Sequence, residues 1–395
     1  MSRTTFRLIL LVSCAHALVH VYELALPSVE QMIGTEFHVG TQQTGLLGTV
    51  WRIPFGVGAV FTGWLVDRYG SKRLLLIYLA GCAATSLIAG VARTFDGVFL
   101  AMLSMGCFAS IYHPAGLALI SHETTPETRG AALGWHGIFG SIGIAGAPFL
   151  AGIVFASGEV TWREYYMALS IPGLALMLLM AFRLRETHPV HRQDQANRTV
   201  SAATDQDRGN WRRYSILLIT GVLSGFIYAA FMHFLPRYLD EAGFTVAGVS
   251  AAGLRNRLAA LVLACGIVGQ SVAGKFAKPG RLEWGLTVIL FANAPLLLWM
   301  AFASGHARVA ATCLLALVHF MNQPFYNSLI AEYVTARRRS LGYGFSNMVC
   351  FSLGGLGPTF AGFIKSDEWT YGGLAIVAAL GGCVALVLAM SRNRQ

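Results

Sequence analysis

The sequence predicts an all-α integral membrane protein, with twelve transmembrane helices in two six-helix bundles related by a pseudo-twofold axis. Three observations carry that expectation. The 395 residues are 55% hydrophobic and only 12% charged, about half the ~25% charge of a soluble chain. Many apolar runs reach the ~20 residues needed to cross ~30 Å of hydrocarbon. The third observation is a repeat. The stretch Ser110–Gly152, SIYHPAGLALISHETTPETRGAALGWHGIFGSIGIAGAPFLAG, recurs without a gap 210 positions later as FMNQPFYNSLIAEYVTARRRSLGYGFSNMVCFSLGGLGPTFAG. Pro114 pairs with Pro324, Arg129 with Arg339, Gly134 with Gly344, Pro148 with Pro358 and Gly152 with Gly362. A period of half the chain marks a doubled bundle, not a solenoid.

The spans fall at roughly 7–29, 43–66, 73–92, 97–120, 130–156, 165–184, 212–237, 249–274, 284–303, 308–333, 340–364 and 370–391. The N-terminal bundle is expected over 1–184, a polar linker over 185–211 and the C-terminal bundle over 212–395. The first span follows a basic N-terminus but does not read as a cleaved signal. Its run is long, holds Glu23 and lacks a small-residue cleavage site. Between spans six and seven the chain turns polar, ETHPVHRQDQANRTVSAATDQDRGN, as a solvated linker does.

Of the 29 Lys and Arg residues, 21 lie in the tails, the linker and the loops on the same side. The positive-inside rule therefore places both termini and the linker in the cytoplasm, with the bundle in the inner membrane. The net charge of +10 is a topology signal and calls for no nucleic-acid partner. The seven cysteines form no CxxC pair and read as isolated packed thiols. The 44 glycines suit a bundle in which small residues let helices approach.

The loop after span two is the most specific motif: Gly63-Trp-Leu-Val-Asp67-Arg68-Tyr-Gly70-Ser-Lys72-Arg73. Gly63 allows close packing, Gly70 a tight turn, and Lys72 and Arg73 anchor the loop on the basic side. Asp67 adds nothing to the positive-inside signal. It reads as one partner of a contact that breaks when the halves rock. GWLVDRYGSKR resembles the G-x-x-x-D-R-x-G-R/K-R/K signature of the major facilitator superfamily. The resemblance extends over the whole chain. It implies two bundles rocking about a central site, with Gly63, Asp67, Arg68, Gly70, Lys72, Arg73, Arg129 and Pro148 as gating residues. The second-half counterpart, Gly274-Lys-Phe-Ala-Lys278-Pro-Gly280-Arg281, lacks the acid, and the superfamily's usual Arg in span four is absent from AMLSMGCFAS. Span five, with Gly134, Gly143, Ala147-Pro148 and Ala151-Gly152, follows the spacing that the superfamily's antiporters carry. Tyr112-His113-Pro114 resembles the fosmidomycin-resistance branch, which implies proton-driven export.

Ionisable groups inside hydrocarbon are costly, so each is a functional candidate. His16, His20 and Glu23 fall at i, i+4 and i+7 on one face of span one. They are the proton-coupling candidates. Arg52 in span two stays charged and needs an acid or an anionic substrate. Glu23 is its expected partner. Substrate contacts are expected from Arg52, Tyr112, His113, His136, Tyr228, Asn322, Gln323, Tyr326, Asn327 and Asn347. His233, His319, Arg255 and Arg257 are weaker candidates. Pro114 and Pro324 each free a carbonyl that a neighbouring polar side chain can satisfy.

No G-x-x-x-x-G-K-[ST] occurs and no catalytic order stands out, so neither ATP use, an enzyme activity nor a cofactor is expected. The expected partners are a small molecule, protons and lipid, with the monomer as the working unit. The leading expectation is proton-coupled export of a small organic anion or amphipath by alternating access. Uptake or facilitated diffusion of an organic anion is the alternative. A divalent metal carrier stands third, on the ligand types of His16, His20 and Glu23.

Overall fold

The computed structural model describes residues 3–184, 209–335 and 338–392. Most of the expected linker lies outside them. Among the described residues, fifteen helical segments make up the twelve spans. They are α1 (Arg3–Glu36), α2 (Thr41–Tyr69), α3 (Ser71–Val91), α4 (Phe95–Ala109), α5 (Tyr112–Glu123), α6 (Pro126–Val154), α7 (Trp162–Arg183), α8 (Trp211–Asp240), α9 (Ala251–Phe276), α10 (Leu282–Phe302), α11 (His306–Phe320), α12 (Asn322–Tyr333), α13 (Arg339–Gly354), α14 (Gly357–Phe363) and α15 (Asp367–Arg392).

Three spans are broken. Spans four and ten break just before the repeated prolines, at Ser110–Ile111 and at Met321. The missing N–H and the ring of Pro114 and of Pro324 disfavour an uninterrupted ladder there. Span five, which holds Pro148, stays continuous as α6. Its repeat in span eleven breaks at Gly355–Leu356, and Pro358 sits in the first turn of α14, where a proline is tolerated. Several spans overrun their sequence-predicted ends: α1 continues to Glu36 and α8 to Asp240.

Pairings within the halves correspond. α1 packs on α6 as α8 packs on α13, α3 on α7 as α10 on α15, and α2 on α4 as α9 on α11. The two seams between halves also exchange under the pseudo-twofold: α2 against α13 and α14, and α9 against α6. Buried tyrosines tie neighbouring helices by donating to backbone carbonyls. Tyr78 reaches Ala15 O at 3.0 Å, Tyr22 reaches Leu169 O at 3.1 Å and Tyr238 reaches Met300 O at 2.7 Å. Such a bond satisfies a hydroxyl that hydrocarbon would otherwise leave unpaired. Large apolar side chains such as Phe182, Phe302, Ile171 and Ile376 point outward, as a lipid-facing surface requires.

The repeat is visible at single bonds. Arg129 donates to Ser121 O at 3.2 Å and Arg339 to Ala331 O at 3.0 Å, and each position lies 210 residues from its counterpart. In both halves a guanidinium caps the last carbonyls of the preceding helix. The repeated glycines also do one job. Gly152 O accepts from Arg257 Nε at 3.2 Å, and Gly362 O accepts from Thr41 Oγ1 at 2.8 Å, each across the seam between halves.

Hydrogen bonds between halves gather at the end opposite the termini. Thr49 Oγ1 donates to Gly355 O at 2.8 Å, His233 Nε2 donates to Thr44 O at 2.9 Å and Asn256 Nδ2 to Ser28 O at 3.0 Å. Backbones touch there: a Cβ at Gly45 would sit 2.4 Å from Pro358 O, and one at Gly362 would sit 2.2 Å from Thr41 O. Nearer the termini, a Cβ at Gly63, Gly134, Gly274 or Gly344 would meet nothing within 4 Å.

Candidate functional site

The polar centre lies where α1, α2, α5 and α6 of the N-terminal half meet α8 and α11 of the C-terminal half. The i, i+4, i+7 spacing turns His16, His20 and Glu23 to one side of α1. Arg52 projects from α2, the next helix along the chain. Its Nη1 donates to Glu23 Oε1 at 2.7 Å, and His20 Nδ1 donates to Glu23 Oε2 at 2.9 Å. Both carboxylate oxygens are thus bonded, as a buried charge requires. Glu23 is 4% exposed and Arg52 3%. A buried pair of this kind contributes little net stability when intact, and removing one partner costs ~3–5 kcal/mol. The Arg52 guanidinium also lies 5.6 Å from the Tyr228 ring centroid, within cation–π range. The pair therefore touches both halves.

Four imidazoles collect beside it. The rings of His16 and His136 stack at 3.9 Å, and those of His20 and His113 stand 5.0 and 5.2 Å from His16. His16 Nδ1 donates to His136 O at 2.7 Å. Tyr112 donates its hydroxyl to Val12 O at 2.7 Å, so His136 Nε2, 3.0 Å away, must be the donor to the tyrosine oxygen. Phe55 closes one side, its ring 5.8 Å from His113.

The C-terminal half supplies a more neutral face. Tyr228 stacks near His319 at 6.3 Å, and His319 Nδ1 is buried without a partner. Asn322 donates to Ser224 Oγ at 2.6 Å. Tyr326 bonds Ser346 Oγ at 2.8 Å, inside its own half. Gln323, Asn327 and Asn347 are exposed; Gln323 accepts from Gln270 at 2.6 Å. The structure thus brings His16, His20, Glu23, Arg52, Tyr112, His113, His136 and Tyr228 together and keeps Gln323, Asn327 and Asn347 outside that cluster.

Among the expected gating residues, Gly70 is the single residue between α2 and α3, a tight turn as expected. Its φ of 82° needs glycine. Asp67 is exposed, and Arg68 lies over Trp64 and Tyr69. Arg257 reaches the seam at Gly152, and Arg255 pairs with Asp240 at 3.4 Å.

The sequence reading missed the ionic contact that spans the halves at the closed end. Arg237 Nε and Nη2 donate to Glu30 Oε2 and Oε1 at 3.0 and 2.9 Å. Thr44 donates to the same carboxylate, and Gln31 reaches Asp240 at 3.1 Å. A signal was present: Glu30 follows Glu23 by seven residues, as Glu23 follows His16, so all three share one face.

A family model described as Major Facilitator Superfamily matches residues 11–358. The chain belongs to that superfamily. It is 23% identical over 279 residues to a probable sulfoacetate transporter of Cupriavidus necator, covering 66% of this chain and 63% of that protein. It is 22% identical over 398 residues to the fosmidomycin resistance protein of Escherichia coli, covering 96% and 92%. In fold it is similar to a bacterial homologue of the human lysosomal transporter Spinster, solved in an inward-facing, unoccupied conformation. That match has a TM-score of 0.77 and 15% identity, and covers 99% of this chain and 96% of that one. As a superfamily member with such relatives, the protein is a multi-pass membrane transporter of small organic molecules.

Proposed function

We propose that the chain exports a small organic anion or amphipath in exchange for protons, by alternating access across the inner membrane with both termini cytoplasmic. The observation that carries this reading is the buried Glu23–Arg52 pair, bridged to His20 on one side and to Tyr228 of the other half on the opposite side. Protonating Glu23 removes its charge and frees the Arg52 guanidinium for a substrate anion. Losing the proton restores the pair and displaces the anion. Proton and substrate thus exclude each other at one place, which is the requirement for exchange. His113 and Tyr228 face the same centre, and His20 is the neighbour through which Glu23 can pass its proton.

With both termini cytoplasmic, as proposed, a seam closed opposite them corresponds to the state that loads from the cytoplasm. Asp67 and the basic residues after Gly70 then act in the opposite state, when the terminus-bearing end closes. Glu23→Gln in oriented proteoliposomes tests the proposal, using a panel of organic anions that includes sulfoacetate and fosmidomycin. Expected is loss of the response to a pH gradient with substrate binding retained; unchanged coupling would overturn it.

Uptake or facilitated diffusion of an organic anion is the second reading, favoured by the position of Arg52 beneath Tyr228 and by the likeness to a sulfoacetate transporter. Counterflow with and without a pH gradient separates the two.

A further inference from the structure

We propose that His16, His20 and His113 bind a transition-metal dication of the Zn2+, Co2+ or Ni2+ class. One ligand atom from each of the three lies within 4.8 Å of the other two. Nitrogens around tetrahedral zinc sit roughly 3.4 Å apart, given Zn–N of ~2.1 Å. His20 and His113 are half-buried, so the difference falls to small shifts of these two side chains that keep the His20–Glu23 bond.

The stronger argument is what holds the rings. The atom facing His16 Nδ1 is a carbonyl oxygen, at 2.7 Å, which can only accept. The proton therefore sits on Nδ1, and Nε2 carries the lone pair. The atom facing His20 Nδ1 is a carboxylate oxygen of Glu23, at 2.9 Å, so a neutral His20 has the same tautomer. Carbonyl and carboxylate partners on the far nitrogen are how proteins orient metal-ligating imidazoles. Glu23 is itself fixed by Arg52 at 2.7 Å. Two other buried histidines bond through the opposite nitrogen. His136 spends Nε2 on Tyr112 and His233 spends it on Thr44 O. His16 and His20 spend only Nδ1. A set of neutral imidazoles suits zinc-like ions and not magnesium or calcium. The fourth position stays open to water or to an anion.

Binding needs neither a gradient nor a transported substrate, so this inference stands apart from the coupling proposed for Glu23. The test is calorimetry of the full-length chain, purified in detergent without a polyhistidine tag, titrated with ZnCl2, together with the visible absorption of added Co2+. Expected is saturable binding of a single equivalent and the absorption of tetrahedral cobalt. His113→Gln should weaken binding at least tenfold, and His20→Ala likewise. Glu23→Gln should weaken it about 10- to 100-fold through the loss of the orienting carboxylate. His122→Ala, outside the cluster, should leave affinity unchanged. His16 is packed tightly enough that its removal can unfold the half, so the half-buried His113 and His20 carry the decision. No saturable binding, or the same affinity in His113→Gln and His20→Ala as in the unaltered chain, overturns the proposal.

Discussion

The N-terminal half brings a carboxylate, a guanidinium and four imidazoles to one point, whereas the C-terminal half meets that point with Tyr228 and His319. The backbones correspond helix for helix, yet the chemistry does not. Position 136 is a histidine held by Tyr112, and its repeat, position 346, is a serine held by Tyr326. The tyrosine has moved one helical turn between the halves while the contact it makes has stayed. Duplication preserves packing, because both copies must solve the same steric problem. Under the proposed exchange, titratable side chains are needed in one copy only, since one charge-exchanging centre would serve both.

The sharpest test of this contrast is to remove one charge. Arg52→Ala leaves Glu23 buried without its guanidinium and with only His20 as a partner, and thermal unfolding in detergent should show a loss of ~3–5 kcal/mol. His319→Ala, on the facing half, should cost well under that. Equal losses would break the comparison. The seams come next. A methyl at Gly362 meets the backbone oxygen of Thr41 at 2.2 Å, whereas at Gly152 the nearest atom is Arg257 Cγ at 2.7 Å, part of a side chain that can turn aside, and the nearest backbone atom is Arg257 N at 3.0 Å. Gly362→Ala should cost ~1–3 kcal/mol and Gly152→Ala less. Labelling of cysteines placed near the closed end should rise only in the former. Third, Tyr112→Phe removes bonds to both Val12 O and His136, while Tyr326→Phe loses Ser346 and a weaker contact to Cys350. Each should cost about 1 kcal/mol, with the larger change for Tyr112. Smallest is the pair of capping arginines, which hold equivalent positions in the repeat, with Arg129 also reaching Thr124 O at 3.3 Å. Arg129→Ala and Arg339→Ala should each cost below ~1 kcal/mol, and by similar amounts. A large difference between them would show that one takes part in more than capping.

Much of this was legible before any coordinates. The repeat registered the two halves without a gap, and the ends of α5 and α12 carry their arginine caps where the register puts them. The pairing of Glu23 with Arg52 followed from two buried charges on successive helices. What could not be read has physical causes. Glu30 and Gln31 were placed beyond the first span because polar residues look like a loop when hydropathy alone sets the boundary. In the structure they are covered by the other half. His233 meets Thr44 across 189 residues of sequence, a contact fixed by docking of the bundles and by nothing local. The break at Gly355–Leu356 was hidden by the very repeat that exposed the fold. Pro358 matches Pro148, but the residues before it, Gly354-Gly355, support a helix less well than the Ile144-Ala145 that precede Pro148 at the same register.

That break has a consequence for how the molecule moves. The carbonyls of Gly355 and Gly362 are satisfied by the hydroxyls of Thr49 and Thr41 from the opposing half. Parting the seam strips both oxygens of those partners, and wherever such an oxygen lies within hydrocarbon, lipid offers no replacement. In the proposed cycle solvent enters as the hydroxyls leave, so separation of the halves and flooding of the gap would be one event, and drying of that gap would let the seam shut again.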